Sequence, residues 1–429
     1  MLAHIGLDDT DTIKGGCTTY VATEIIKKTL PKIGFLDYPR LIRLNPNIPW
    51  KTKGNAAIAI SFTSDDPEKI FNEICGIIEN QLSDNINAGT VLIKGNIPSD
   101  VKSIANEALF SIVKMKEVKK VINRNEIKYA IWGKGSGIKG ALAAVGNTLN
   151  EDHTYELLTY RSKEKWGSKR EIINESVYKM DKKTHPLTFN NYDYDTGRVL
   201  ITPNSPDPVF FGIRGESPQV LLNAFKILKI GEKVERYVIY RTNQGTGIHL
   251  KQCLESNLNA YRSGYIKGMV TRKARIERGG HLFIPIKNSV NEIMCAVYEP
   301  SGSFRKKFIY LEPGDIIEVG GGIRKKTSNH PSVLNVEYLR IIRIIPKLIF
   351  YCKNCKKKIN RPIKKIEFKC QKCGKKQIIN YEDNRQIKPG LFLPPARAQR
   401  HLTKPINRFG IEKKMWDKSI IRNWCRFKE

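Results

Sequence analysis

Three aspartates within four positions, Asp8, Asp9 and Asp11, close the apolar run Leu2 to Leu7. Carboxylates crowded this tightly at a strand end repel one another unless a hard cation such as Mg²⁺ lies among them. The chain then turns through Lys14, Gly15 and Gly16 into a segment that reads as helix and carries Thr18 near its start. The backbone N–H groups of such a turn, with the positive end of the helix dipole, make an anion site. Taken together these features read as a nucleotide-phosphate and Mg²⁺ site; taken separately, as an acidic surface turn followed by a helix cap. A second glycine-rich loop, Trp132 to Ala141, contains Lys134, Gly135, Ser136, Gly137 and Lys139 ahead of a helical run from Ala141 to Leu149. It lacks the residue order of a Walker A loop, yet holds the same ingredients: glycines, two lysines and a helix N-terminus. Beside an acidic metal site it points to ATP, with lysines holding phosphates whose charge Mg²⁺ neutralises.

Two further segments are built to bind. Arg40 to Asn55 reads as a proline-broken loop offering Arg40, Arg43, Lys51, Lys53 and exposed asparagines, suited to phosphate or base contacts or serving as a basic connector. Thr202 to Gly215 places Pro203, Pro206 and Pro208 beside Asp207, Phe210, Phe211 and Gly212. Prolines rigidify a loop and remove donors, so carbonyls, a carboxylate and ring faces gather where a cation could bind; a turn between strands has the same signature. Cys352 and Cys355 form one CxxC pair, followed after 14 residues by a second, Cys370 and Cys373. That is zinc-ribbon spacing, and four thiolates leave no open position for water, so a Zn²⁺ there is structural. Lys353, Lys356, Lys357, Lys358, Arg361, Lys364 and Lys365 surround it, as phosphate contacts or as a solvated face.

The elements that must carry these residues follow from periodicity. Up to about residue 145, short apolar strands alternate with helices: Ala56 to Phe62 and Thr90 to Ile93 read as strands, Asp66 to Gln81 and Ser99 to Met115 as helices. From there to about 260, Val199 to Thr202, Val209 to Gly212 and Arg236 to Thr242 read as strands, with a helix from Pro218 to Leu228 opened by Ser217. This alternation fits a ferredoxin-like sandwich. Residues 264 to 345 are nearly all strand: Tyr265 to Arg275, His281 to Ile286, Ile293 to Tyr298, Ile316 to Gly320 and Val333 to Ile344, with glycine turns at Gly279-Gly280 and Gly320 to Gly322. Five such strands suggest an OB barrel, a frequent platform for single-stranded nucleic acid, or another small β-barrel. The last residues form a basic tail with too little apolar content for a core of its own.

Composition sets the partners. Over 429 residues, 74 Lys and Arg against 42 Asp and Glu leave a net charge of +32, which calls for a polyanion. No run of 18 apolar residues occurs, and the N-terminus reaches carboxylates too early for a signal peptide, so no membrane partner and a cytoplasmic location are expected. Nine cysteines, four of them in CxxC pairs, suit a reducing compartment better than a disulfide framework.

In order along the chain, Gly6 to Asp11, Arg43 to Thr52, Thr202 to Gly215, the barrel segment, the CxxC pairs, Pro394 to Arg397 and Arg400 to Pro405 together resemble the archaeal tRNA(Ile) 2-agmatinylcytidine synthetase family over the whole length. The resemblance implies a multidomain α+β fold: a kinase-like α/β catalytic domain over residues 1–145, a ferredoxin-like domain with the agmatine pocket over 146–262, an OB-fold β-barrel binding RNA over 263–346, a zinc ribbon over 347–380 and a basic tail over 381–429. It also implies an ATP-dependent ligase that phosphorylates the cytosine carbonyl of the wobble cytidine and displaces it with agmatine, turning ATP into AMP and phosphate and enabling AUA decoding. The partners would be agmatine and an isoleucine tRNA with a CAU anticodon, not DNA. On this resemblance Asp8, Asp9 and Asp11 are metal-binding acids, Thr18 is the threonine that becomes phosphorylated, and Pro203, Asp207, Phe210, Phe211 and Gly212 line the agmatine pocket. The chemistry agrees: a carbonyl oxygen leaves poorly, so replacing it with an amine requires prior activation. A non-catalytic RNA-binding translation factor would account for the charge and the C-terminal modules, but not for the aspartate cluster or the second glycine loop.

Overall fold

The computed structural model describes every residue except 12–16, 52–53, 82–85, 255–257, 329–330, 347, 360–366, 379, 384, 400 and 429. Its spine is one mostly antiparallel sheet in the order Lys128–Ile131, Gly89–Lys94, Leu2–Asp8, Ala56–Thr63, Arg40–Arg43, Val234–Thr242, Thr154–Arg161, Val209–Gly215 and Thr188–Phe189. Strict alternation explains the two-sided burial of its N-terminal half. On Ala56–Thr63 the large residues Ile58, Ile60 and Phe62 meet the helices Thr18–Thr29 and Pro67–Glu79 on one face. The small Ala57 and Ala59 face the helices Ser99–Phe110 and Ile138–Gly146 on the other. Each buried isoleucine contributes about 1.5–3 kcal/mol relative to exposure. Pro67–Glu79 starts as its sequence demands: Asp66 accepts the backbone N–H of Glu68 at 3.1 Å and of Lys69 at 3.0 Å, with Pro67 in the first turn.

The sheet runs on from the first unit into the second through a parallel contact that pairs Arg241 with Arg40 and Thr242 with Leu41. There Val209–Gly215 and Val234–Thr242 flank Thr154–Arg161 antiparallel, and the helices Asn174–Thr184 and Pro218–Ile227 pack against each other, the latter also on the sheet. Pro218–Ile227 begins where expected, with Ser217 Oγ accepting from the Val220 N–H at 3.4 Å. Val199 to Thr202 is less of a strand than expected: only Arg198–Val199 pairs, in a two-residue ribbon with Tyr192–Asp193.

The expected helix Ser99 to Met115 is two helices. Ser99–Phe110 ends at Ser111, whose backbone is extended, and Met115–Arg124 starts anew. Ile112, placed on the apolar stripe by spacing, is therefore 36% exposed. Likewise, Arg40 to Asn55 is not all loop: Arg40–Arg43 is a buried strand, which sends Arg40 into the core against Ser61 Oγ at 3.2 Å.

The third unit is a closed barrel. Ser263–Val270 pairs with Ile316–Arg324, that strand with Val333–Arg343, then Glu292–Val297, then Leu282–Lys287, which returns to the first through Met269↔Lys287 and Val270↔Ile286. The helix Ser303–Ile309, not anticipated from pattern, adds Phe304 and Phe308 to its core. The expected turn at Gly320 to Gly322 is instead the middle of a strand. A Cβ on Gly321 would lie 1.9 Å from the Asn335 carbonyl oxygen, so glycine here permits a tight bulged pairing rather than a reversal.

The basic tail has no core of its own and joins those of the others. Gly390–Phe392 adds to the barrel, Cys425–Phe427 adds to the large sheet, and Trp424 is buried with the main core. Part of its charge is paired with the second unit: buried Arg408 Nη2 meets Asp152 at 2.8 Å, and the partly exposed Lys413 Nζ and Arg397 Nη1 meet Glu216 and Asp193, each at 2.7 Å.

Candidate active site

Asp8 ends the central strand Leu2–Asp8, and Asp9 takes φ +59°, so the chain leaves the sheet edge at once. The second glycine loop folds onto this turn: Ser136 Oγ donates to Asp9 Oδ2 at 2.9 Å across 127 residues of sequence. Asp8 lies against the first turn of Ile138–Gly146, where a Cβ on Gly140 would come within 1.8 Å of Asp8 Oδ2. Asp8, Asp9, Ser136 and Lys139 share a cavity of about 120 Å³ with Trp50 and Lys51. The helix break at Ser111 to Val113 supplies another of its walls. Burial, then the charges of Asp9 and Asp11, push the Asp8 carboxyl well above its ordinary range, against the pull of Lys139.

Asp11 turns the other way. Its Oδ1 accepts the Thr18 backbone N–H at 2.7 Å and the Thr18 hydroxyl at 3.3 Å, while Thr10 Oγ1 donates to Thr18 Oγ1 at 3.3 Å. Asp11 thereby caps Thr18–Thr29, for which the N-cap residue Cys17 provides no side-chain bond. Asp11 and Thr18 face a second cavity of about 260 Å³, shared with Pro203, Asp207 and Gly212. The acidic turn thus separates two cavities. Among the described residues, Asp8, Asp9 and Asp11 do not form a group whose ligand atoms all lie within 4.8 Å; the four ribbon cysteines do.

Of the other expected phosphate residues, Lys14, Gly15 and Gly16 lie outside the described residues. Lys134 is exposed, with its backbone N–H bound to Asn87 Oδ1 at 2.9 Å; Gly135 and Gly137 are buried in the turn and line neither cavity.

The proline-rich segment does gather acceptors around a cation, and that cation is Arg170. Its guanidinium donates to the carbonyls of Val209, Pro203 and Ser205 at 2.9 Å and of Asp207 at 3.0 Å. Asp207 is also held by Arg170 Nη2 at 3.4 Å, by the Ser205 hydroxyl and by the Val209 N–H at 3.2 Å. Phe210 and Phe211 do not reach the cavity. A register shift between Val209 and Gly212 turns both rings into the core, fully buried and edge to face at 5.0 Å. The ring that lines the cavity is Phe189.

Arg43, from the segment expected to make phosphate or base contacts, completes this second cavity together with Glu156, Arg214 and His401, for which the sequence offered no individual role. Glu156, 2% exposed, accepts from Arg214 Nε at 3.0 Å and from Gln244 Nε2, while Gln244 Oε1 meets His401 Nδ1 at 2.9 Å. Glu156 is not singled out by the sequence; the structure shows Thr154–Arg161 buried at every position, and an acid in such a strand needs partners. Among the described residues, Arg43 Nε is buried without a hydrogen-bond partner.

In the ribbon, the sulfurs of Cys352 and Cys373 are 3.6 Å apart and those of Cys355 and Cys370 3.7 Å. A tetrahedron with Zn–S of about 2.3 Å has edges of about 3.8 Å, so the four sulfurs fit one Zn²⁺. Each knuckle is closed by a backbone bond of 2.8 Å, Lys356 N–H to the Cys352 carbonyl and Gly374 N–H to the Cys370 carbonyl.

Comparison with known proteins places this geometry. Residues 4–134 match the family described as TiaS TCKD domain and residues 135–249 the one described as TiaS FLD domain. The tRNA(Ile) 2-agmatinylcytidine synthetase TiaS of Cenarchaeum symbiosum is 40% identical over 95% of this chain and 93% of its own. That of Methanocaldococcus jannaschii is 37% identical over 95% and 98%. Among solved structures, apo TiaS, an agmatidine synthetase for isoleucine tRNA, superposes with a TM-score of 0.85 at 33% identity, covering 98% of this chain and 100% of that one. A complex of TiaS with its isoleucine tRNA, AMPCPP and agmatine gives 0.82 at 33% identity, covering 96% and 99%. Shared sequence over nearly the whole length, with shared architecture, establishes that the chain belongs to the tRNA(Ile) 2-agmatinylcytidine synthetase family.

Proposed function

We propose that the protein is an ATP-dependent ligase that joins agmatine to the wobble cytidine of an isoleucine tRNA with a CAU anticodon, so that the tRNA reads AUA. The observation that carries this reading is the acidic turn standing between two cavities, one suited to phosphates and the other to a cationic substrate. On the first side Lys139 and Ser136 bind ATP phosphates, and Asp8 and Asp9 would hold Mg²⁺, which neutralises phosphate charge when bound. On the second side the agmatine guanidinium is met by Glu156, in a cavity walled by the loop of Pro203, Asp207 and Gly212 that Arg170 braces. Arg43 lines the second cavity with Asp11 and Glu156 and can bind the phosphate that activates the cytosine carbonyl. Thr18, held by Asp11, is the hydroxyl placed to carry phosphate. ATP would end as AMP and phosphate.

In this reading the residues around the acidic turn form a kinase-like unit, the two-helix sheet a ferredoxin-like unit, and the barrel an OB platform for RNA. The four cysteines make a structural zinc ribbon, and the protein works in the cytoplasm; among the described residues no helix is long and apolar enough to cross a membrane. The test is incubation with ATP, agmatine and deproteinised tRNA, followed by mass analysis of nucleosides. A cytidine carrying agmatine only when ATP is present is expected; unmodified cytidine would remove the assignment.

A further inference from the structure

We infer that His401 is the general base that takes the proton from the attacking amine. This deepens the proposed function and rests on it. A chain of hydrogen bonds of determined polarity ends on this ring. Glu156 can only accept, so the Gln244 amide must turn its NH₂ toward Glu156, as it does, leaving Oε1 toward His401. An amide oxygen can only accept, so His401 Nδ1, 2.9 Å away, carries the hydrogen. Nε2 is then the nitrogen with the lone pair. Three segments far apart in sequence, the strand Thr154–Arg161, the turn just after Val234–Thr242 and the tail, converge to impose one tautomer on one ring.

Location gives that tautomer a use. His401 lines the same cavity as Asp11, Thr18, Pro203 and Asp207, where amine and activated base would meet. Its backbone sits at φ +69°, a left-handed conformation disfavoured for a residue with a Cβ. Burial first, then Arg43 and Arg214, with His249 and Lys51 also contributing, lower its pKa well below the usual imidazole value. The ring is therefore neutral and able to accept. The same cations favour loss of one proton to solvent from the agmatine ammonium as it enters. During attack the C2–N bond forms, and the nitrogen, now far more acidic, gives its second proton to Nε2. The C2–O bond then breaks, its electron pair leaves with phosphate, and the phosphate takes the proton from His401.

The base is tested by His401→Ala and His401→Gln in the full-length zinc-loaded protein, with single-turnover agmatine transfer, ATP consumption and tRNA binding measured side by side. Transfer should fall about 100-fold or more in both variants, the usual share of a general base, while ATP turnover and tRNA affinity persist. Added imidazole should restore transfer by His401→Ala but not by His401→Gln, whose side chain fills the space. Hydroxylamine, whose electron-withdrawing oxygen makes the adduct nitrogen more acidic and readier to give its second proton to water, should lose less than agmatine in both. Transfer within threefold of the parent overturns the inference, as does parallel loss of ATP turnover and tRNA binding, or failure of imidazole to rescue. An unaltered protein that attaches no agmatine would instead remove the proposed function itself.

Discussion

Single side chains carry the sharpest consequences. Asp9 combines a left-handed backbone with a carboxylate bonded to Ser136, so Asp9→Ala removes both a phosphate-side acid and the tie to the second glycine loop. ATP consumption should disappear while tRNA binding survives; ATP turnover by this variant at the parental rate would contradict the phosphate-side assignment. Asp207 acts through the loop it organises. Asp207→Ala leaves the Arg170 guanidinium with carbonyl partners alone and releases Ser205, so the cavity wall loosens without touching the ATP side. The agmatine concentration for half-maximal rate should rise at least 10-fold, the equivalent of about 1.4 kcal/mol, while the ATP requirement moves little. Steady-state titrations of both substrates separate these outcomes. Exchange of Phe210 or Phe211 for leucine should instead lower stability without changing agmatine dependence, since both rings belong to the core.

Elements decide how closely those groups approach. Ile138–Gly146 packs its first turn on the acidic strand end, and glycine at position 140 is what leaves room for Asp8. Gly140→Ala must displace either the carboxylate or a helix packed on both sheet and neighbouring helices, and the carboxylate has more freedom. ATP turnover should drop about 100-fold, as expected for an angstrom-scale misplacement, in a protein that still melts cooperatively and still binds tRNA. Retention of full ATP turnover would mean that Asp8 does not work from its present position. In the ribbon, four thiolates held within 4.8 Å of one another would repel unless a cation lay among them. Cys370→Ser should release zinc, measurable by chelator colour, and weaken tRNA binding with a shallower dependence on salt, because basic residues around the knuckles lose their arrangement. Unchanged affinity and salt slope would show that the ribbon takes no part in tRNA grip.

Across the whole molecule, charge is divided between an outer surplus and an inner set of matched pairs. Arg161 with Glu232, Arg241 with Asp37 and Arg408 with Asp152 are all nearly inaccessible, and the last binds the C-terminal segment to the second unit. Breaking one such pair by removing a partner typically costs about 3–5 kcal/mol. Buried histidines give the fold a pH dependence of definite sign. His4, His153 and His249 are each lowered to about 4, chiefly by burial, from an unfolded value near 6.5. Between those values the unfolded chain binds more protons than the folded one, so stability is full above pH 6.5 and lost as pH falls toward 4. Each histidine adds at most about 1.4 kcal/mol per pH unit in that window. Denaturant midpoints should fall from pH 6.5 to 4.5, and His249→Gln should flatten the fall; a midpoint independent of pH over this range would contradict the neutral buried state.

The sequence by itself determined which chemistries were on hand. Aspartates spaced along one turn, two CxxC pairs and alternating strand residues are local patterns, and local patterns survive folding because backbone geometry alone places neighbours on one face or turn. It did not reveal which groups would remain available. The acceptors of the proline-rich loop were legible, yet Arg170, 33 residues before Pro203, already occupies them. Phe210 and Phe211 looked like cavity rings until a register shift turned them inward. Glu156, Gln244 and His401 come from three distant segments, and His401 and Gln244 alone are 157 residues apart. Their meeting depends on sheet order and on where the tail is threaded. Those are decided by burying apolar surface across the whole chain, so no stretch of sequence contains them.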